Sequence, residues 1–206
     1  MAKGAAKAQK TKDLAPRERI LAAAADLFYR QGLRAVGVDA IAEAAGTNKM
    51  TLYRHFESKD TLVAEYLRRA ASEADAHCAV FEARHPADPR AQLVGWLTEM
   101  ADAVASTDDR GCPLANAAVE LPDKRHPARC VIEQFKLKSR KRLAALCRAA
   151  GLRDPDLLAD ELYLLLEGAR VSAQSIDAKE IAGRFRKMSE LLIASHCGEG
   201  KKHSPS

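Results

Sequence analysis

The 206 residues hold 33 Lys/Arg against 28 Asp/Glu, a formal +5 at neutral pH, and 47% are hydrophobic. Forty Ala and 23 Leu stand against 9 Val, 6 Ile and 6 Thr, a balance that favours helices and excludes an all-β fold or a sheet of buried parallel strands. No apolar run approaches the roughly 20 residues of a membrane span, and Met1–Lys12 is basic without the apolar core of a secretory signal.

The first fifteen residues are rich in Ala, Lys and Gln and have no sustained apolar face, which predicts a disordered basic tail over 1–15. Pro16 suits a first helical turn, where its missing donor costs nothing. Ile20, Leu21, Ala24, Leu27 and Phe28 then keep the rhythm of one buried helix face. Gly32 ends that helix, with a left-handed cap expected. A short second helix runs from about Val38 to Ala45, with Gly37 as its N-cap, Val38, Ile41 and Ala45 inward, and Gly46 closing it. Asn48, one of the best N-caps, opens a third helix over Lys49–His55. Ser58 caps a long fourth helix with Asp60 in its first turn and Leu62, Tyr66, Leu67 and Ala70 inward. His85–Pro86 and Asp88–Pro89 break it.

Five more helices follow with short punctuation, at about Pro89–Ser106, Pro113–Leu121, Pro127–Ala150, Pro155–Ser175 and Ala178–His196. Residues 198–206 are polar and predict a second disordered tail.

The charge excess is local. Residues 1–70 contain 13 Lys/Arg and 8 Asp/Glu, whereas the remainder balances at 20 against 20. An N-terminal segment of that kind suits a polyanion, although a basic tail is also a common solubilising end. Two short helices joined at a glycine turn predict a helix-turn-helix, whose second helix enters the major groove. In that second helix Leu52 and Phe56 are placed to anchor it, and donors, a phenol, a hydroxyl and a guanidinium surround them. A helix of two turns is too short to stand alone.

Arg17–Leu67 resembles the N-terminal domain of the TetR family of bacterial transcriptional regulators. The resemblance rests on Arg-Glu-Arg-Ile-Leu-Ala-Ala-Ala-Ala-Asp-Leu-Phe at 17–28, on Gly32, and on Ile-Ala-Glu-Ala-Ala-Gly at 41–46. It continues with Thr-Leu-Tyr-Arg-His-Phe at 51–56 and Ser-Lys-Asp-Thr-Leu at 58–62. It implies an all-α protein. A three-helix DNA-binding domain over 16–62 would be joined by the long fourth helix to a helical effector-binding and dimerisation domain over 63–197.

By position, the resemblance implies that Asn48, Lys49 and Met50 face base edges. Lys49 would donate to guanine and Met50 would meet a thymine methyl. It also implies that Thr51, Tyr53, His55 and Lys59 contact phosphate, with Arg54 a further candidate. For His55 a structural role between helices is the alternative. Many relatives have Thr or Ser where this chain has Gly37, so any phosphate contact there would use backbone amides.

For the sensor half, isolated polar or bulky residues on amphipathic helices nominate an effector pocket: Phe81, Trp96, Met100, Leu114, Asn116, Glu120, Phe135, Tyr163 and Glu167, with Cys112 beside them. Gly111–Asn116 resembles a motif that opens the sixth helix in one branch of the family. Cys112, near a helix N-terminus, suggests a redox- or electrophile-sensing alternative. Leu158, Leu162, Leu165, Ala169, Ser172 and Ile176 form one 4-3 seam; Ile181, Phe185, Met188 and Leu192 form another. Such seams suit a homodimer interface of four helices, with a buried intrachain core as the alternative. A two-fold dimer implies an inverted-repeat operator on double-stranded DNA.

Cys78, Cys112, Cys130, Cys147 and Cys197 include no CxxC pair, which argues for a reducing cytoplasm and against a zinc site. No metal, other cofactor or membrane partner is expected, and no Cys/His/Asp arrangement supports an enzyme. The family resemblance implies a ligand-responsive repressor. A non-specific nucleoid-type DNA binder is the weaker alternative.

Overall fold

A computed structural model describes residues 14–106 and 110–197. Both expected tails, apart from Leu14 and Ala15, lie outside the described residues. The described chain forms nine α-helices in this order: α1 Pro16–Gln31, α2 Val38–Ala44, α3 Lys49–His55, α4 Lys59–Glu82 and α5 Pro89–Ala105, then α6 Pro113–Glu120, α7 Pro127–Ala149, α8 Pro155–Ser172 and α9 Ala178–Ser195. The all-α class and the order of helices match the sequence expectation. The expected end of α8 at Ser175 falls instead at Ser172, because the amides of Gln174 and Ser175 bond three residues back and tighten the last turn.

Contacts divide the described residues into two compact units, one reaching to Glu73 and including Cys112–Gln134, the other running from Ala74 to Gly111 and resuming at Phe135. This division departs from the expected boundary after residue 62. It gives the first unit α6 and the start of α7, two pieces that the motif-based boundary could not anticipate.

The first unit is built around α1. Pro16 opens that helix and Glu18 sits in its first turn, where a carboxylate complements the helix dipole. Ile20, Ala24 and Phe28 are buried against a core that also takes in Ile41, Leu52, Leu62 and Leu67. Arg17 bonds Glu65 at 3.1 Å, Arg69 bonds Glu18 at 3.2 Å, and the Phe28 and Tyr66 rings lie 5.7 Å apart, so α1 and α4 are held along their length. At the start of α7, the amide of Ala128 donates to His126 Nδ1 at 3.1 Å, which leaves Nε2 as the protonated nitrogen facing Asp60 at 3.3 Å.

The turn after α1 differs from expectation. Gly32 has φ +89° and ψ 160°, a positive-φ extended conformation and not the left-handed helical cap. The amides of Leu33 and Arg34 then donate to one oxygen of Glu120 on α6, at 2.6 and 3.2 Å. That carboxylate closes the turn from across the unit. Gly46, which closes α2 as expected, has φ +61°, in the left-handed region.

In the second unit α9 packs on α5 and α8 around Leu93, Leu97, Leu158, Leu162 and Phe185. Asp88 and Asp177 cap α5 and α9 through the amides of Ala91 and Glu180, at 3.0 and 2.8 Å. His196, at the end of α9, donates through Nδ1 to the Arg153 carbonyl at 2.7 Å, and its own carbonyl accepts the Arg153 amide at 2.8 Å. This pair fixes the loop before α8 to the last turn of α9. No helix among the described residues is long and apolar enough to cross a membrane.

The Gly32 turn yields a stability prediction. A Cβ at position 32 would lie 3.1 Å from Glu120 Oε2, on a backbone conformation open essentially to glycine alone. Gly32→Ala is expected to cost about 1–3 kcal/mol in urea unfolding. Combining it with Glu120→Ala should remove the steric part, so the double mutant will be less destabilised than the sum of the two singles.

Candidate nucleic-acid interface and ligand cavity

Seven residues of α3 make few backbone hydrogen bonds, so the helix is held by what surrounds it. Asn48 supplies the N-cap: its Oδ1 accepts from the Thr51 amide at 2.9 Å. Leu52 is fully buried and Phe56, just past the C-terminus, is 2% exposed. The Arg17 guanidinium stacks 5.0 Å from the Phe56 ring centre and covers that anchor from α1. Upstream, Gly37 caps α2 without a side-chain hydrogen bond.

With its apolar side committed, α3 turns the rest outward. Met50 is 75% exposed and Tyr53 is 43% exposed, while Asn48, Lys49, Arg54 and His55 are exposed. Thr51 is half-buried. Lys49 Nζ pairs with Asp39 of α2 at 3.2 Å, an exposed ion pair that holds the ammonium near the helix-turn-helix corner. Such pairs are worth at most about 1 kcal/mol, so a phosphate or base edge can replace the aspartate. Lys59 is half-buried at the start of α4, its Nζ 6.0 Å from the centre of the Phe28 ring. The structure thus brings Asn48, Lys49, Met50, Tyr53, Arg54 and His55 onto one short element.

The ligand side is less faithful to the sequence expectation. The second unit contains a cavity of about 150 Å³. Trp96, Met100, Phe135, Tyr163 and Glu167, all expected there, line it. Cys112, Leu114, Asn116 and Glu120 do not, and they belong to the first unit. Leu114 is 1% exposed in that unit's core, and Glu120 is committed to the Leu33 and Arg34 amides. The side chain of Phe81 lies outside the described residues. Missed by the sequence were Cys78, Lys136, Arg142 and Arg170, which line the cavity through long or polar side chains of α4, α7 and α8. The basic run Lys136–Arg142 on α7 supplies three lining residues, Lys136, Lys138 and Arg142.

Cys112 is 8% exposed and caps α6 without a side-chain bond. In the second unit, burial pushes the Cys147 thiol up to about 11 and raises Cys78 as well, the latter against the lowering influence of Arg142. Neither thiol is a ready thiolate at neutral pH. Among the described residues no group of three or more His, Cys, Asp or Glu is placed to hold a metal ion.

The dimer seams need correction. Leu158, Leu162, Ala169, Ile181 and Phe185 are buried within the chain's own core, and Leu165 and Leu192 pack partly against it. Only Ile176 and Met188 of the expected set are exposed, at about half. The apolar face left open on α8 lies one position earlier in the heptad, at Leu157, Leu164 and Val171 with Gly168 between them, and on α9 at Met188 and Leu191. Spacing found a stripe on each helix but could not tell which of two adjacent stripes was the inner one.

Residues 20–66 match the family described as bacterial regulatory proteins, tetR family. Over 52 residues the chain is 50% identical to the HTH-type transcriptional repressor KstR2 of Rhodococcus jostii, a stretch covering 25% of this chain and 26% of that protein. It is 43% identical over 53 residues to the HTH-type transcriptional activator FasR of Mycolicibacterium smegmatis, covering 26% of this chain and 24% of that one. Likeness to these curated relatives therefore spans about a quarter of their length. Solved structures extend it. A TetR-family transcriptional regulator from Streptomyces coelicolor superposes with a TM-score of 0.83 at 27% identity, over 88% of this chain and 95% of that one. A TetR transcriptional regulator from Streptomyces avermitilis shares 33% identity at a TM-score of 0.74, over 89% of this chain and 98% of that one. One residue in three is identical across nearly the whole of that protein, on the same helical fold, and the chain belongs to the TetR family of bacterial regulatory proteins.

Proposed function

We propose that this protein is a sequence-specific DNA-binding transcriptional repressor that acts as a homodimer and is released from its operator by a small molecule held in the cavity of the second unit. The observation that carries this is the outward polar face of α3, a seven-residue helix pinned by Leu52 and Phe56 with Met50 laid bare at its first turn. Asn48, Lys49 and Met50 would read base edges. Thr51, Tyr53, Arg54, His55 and Lys59 would hold phosphates. The exposed apolar stripe of Leu157, Leu164 and Val171 with Met188 and Leu191 supports pairing with a second copy. A two-fold dimer would read an inverted repeat. Release follows from linkage: an effector that weakens operator binding is itself weakened by the operator, by the same factor. The thiol-sensing alternative has little support, since Cys112 is shielded from a diffusing oxidant.

The reading surface is tested by selecting bound duplexes from a random pool, then comparing two variants on the recovered site and on scrambled DNA. Lys49→Ala should lose discrimination at one base position, by about 1–3 kcal/mol. Lys59→Ala should weaken both duplexes alike and reduce the salt slope by about 1. A wild-type protein that binds scrambled DNA as tightly as the selected site is a non-specific binder, and the proposal fails.

The dimer surface is tested by Leu164→Glu. Sedimentation should show monomers with wild-type helix content and weakened operator binding. Phe185→Ala behaves differently, costing about 3–5 kcal/mol of folding stability because it empties the core of a single chain.

A further inference from the structure

The two charged walls of the second unit's cavity differ in their balance. On the α4 wall acids and bases are matched. Arg142 grips Glu82 with Nε and Nη2 at 2.5 and 2.7 Å, and Lys138 reaches Asp75 at 2.7 Å. The Arg142 hydrogen bonds hold the Glu82 carboxyl below its ordinary range, so it stays ionised with both oxygens engaged. That wall offers a ligand neither sign.

The α8 wall is unbalanced. Glu167 is shared by two cations, Lys136 on one oxygen and Arg170 Nη1 on the other at 3.3 Å. One carboxylate between two cations leaves a positive charge in excess. These three side chains are only 20–25% exposed, so solvent screens that excess poorly. Arg170 Nη2 meanwhile donates to the Met100 thioether at 3.6 Å. Sulfur is a weak acceptor, and an oxyanion there would substitute a charge-assisted bond for a poor one.

Apart from His77, Cys78 and Ser139, the remaining lining is apolar, with Trp96, Phe135 and Tyr163 contributing rings and Met100 its sulfur. Such a lining favours an aromatic guest through ring–ring and sulfur–ring contacts. The free space of about 150 Å³ equals that of an apolar cavity able to hold benzene, so one ring with a short substituent fits.

We infer that the cavity takes a single-ring aromatic monocarboxylate, its ring among Trp96, Phe135 and Tyr163 and its carboxylate on Arg170 Nη2 beside Lys136. This rests on the proposal above that the cavity is the effector site, and gives that effector a chemical class. A cationic guest would meet the excess positive charge, and a neutral guest would leave Arg170 on its thioether.

Trp96 is the one tryptophan of the sequence and lines the cavity, so its emission reports occupancy directly. The full chain is titrated with benzoate, benzyl alcohol, benzylamine and hexanoate. Benzoate should shift the emission and bind about tenfold or more tighter than benzyl alcohol or benzylamine, the value of one added charge-assisted bond, and tighter than hexanoate, which keeps the carboxylate and lacks the ring. Arg170→Met, checked for folding by circular dichroism, should lose that advantage while binding benzyl alcohol as the wild type does. Equal binding of benzyl alcohol or benzylamine overturns the carboxylate, equal binding of hexanoate overturns the aromatic body, and silence toward all four overturns the class. The same series in a gel shift with the selected operator separates the two claims. Benzoate that binds without releasing DNA upholds the ligand class and removes the effector role.

Discussion

Seven residues of helix do not hold together in water, and the polar face of α3 exists only because Leu52 and Phe56 are taken into the core of the first unit. Every outward side chain of the candidate DNA surface inherits its direction from those two burials. Asn48 fixes the start of the helix by accepting the Thr51 amide, and Arg17 covers the Phe56 ring. Rigidity of this kind is what base recognition needs, because a side chain that must be ordered on binding gives back part of the energy it gains.

The N-terminal half was legible because its information is local. A cap, a periodic apolar face and a glycine lie within a few residues of one another, and Asn48, Ser58 and Gly46 do what such residues do at helix ends. Gly32 shows the limit. Its identity announced the end of α1, yet its conformation is set by Glu120, which is distant in the chain. The same limit governs α8 and α9. A stripe repeating at Leu158, Leu162 and Ala169 is indistinguishable by spacing from one at Leu157, Leu164 and Val171 until α5 is known to pack against the former side. Cavity residues were half legible. Bulky aromatics on amphipathic helices stood out, whereas nothing in the spacing singles out Lys136 and Arg170, because their pairing with Glu167 is tertiary.

The two units use charge in different ways. In the first, carboxylates serve the backbone or hold helices together: Glu120 binds two amides, and Glu18 and Glu65 tie α1 to α4. In the second, Arg142 with Glu82 and Lys136 with Glu167 place ions around an apolar space, at a desolvation cost that plain hydrophobic packing would avoid. Retaining such groups beside a cavity makes sense where a guest is to be told apart from others of the same size.

The closure of the Gly32 turn by Glu120 bears on how the chain is made. The first unit is drawn from two stretches separated by Ala74–Gly111, and the carboxylate that satisfies Leu33 and Arg34 belongs to the later one. As the polypeptide leaves the ribosome, α1 to α3 emerge long before their partner does. The turn that leads from α1 into the helix-turn-helix therefore acquires its final lock only after the intervening stretch Ala74–Gly111 has been synthesised, and a fragment ending at Glu73 would carry the motif with that turn still unfastened.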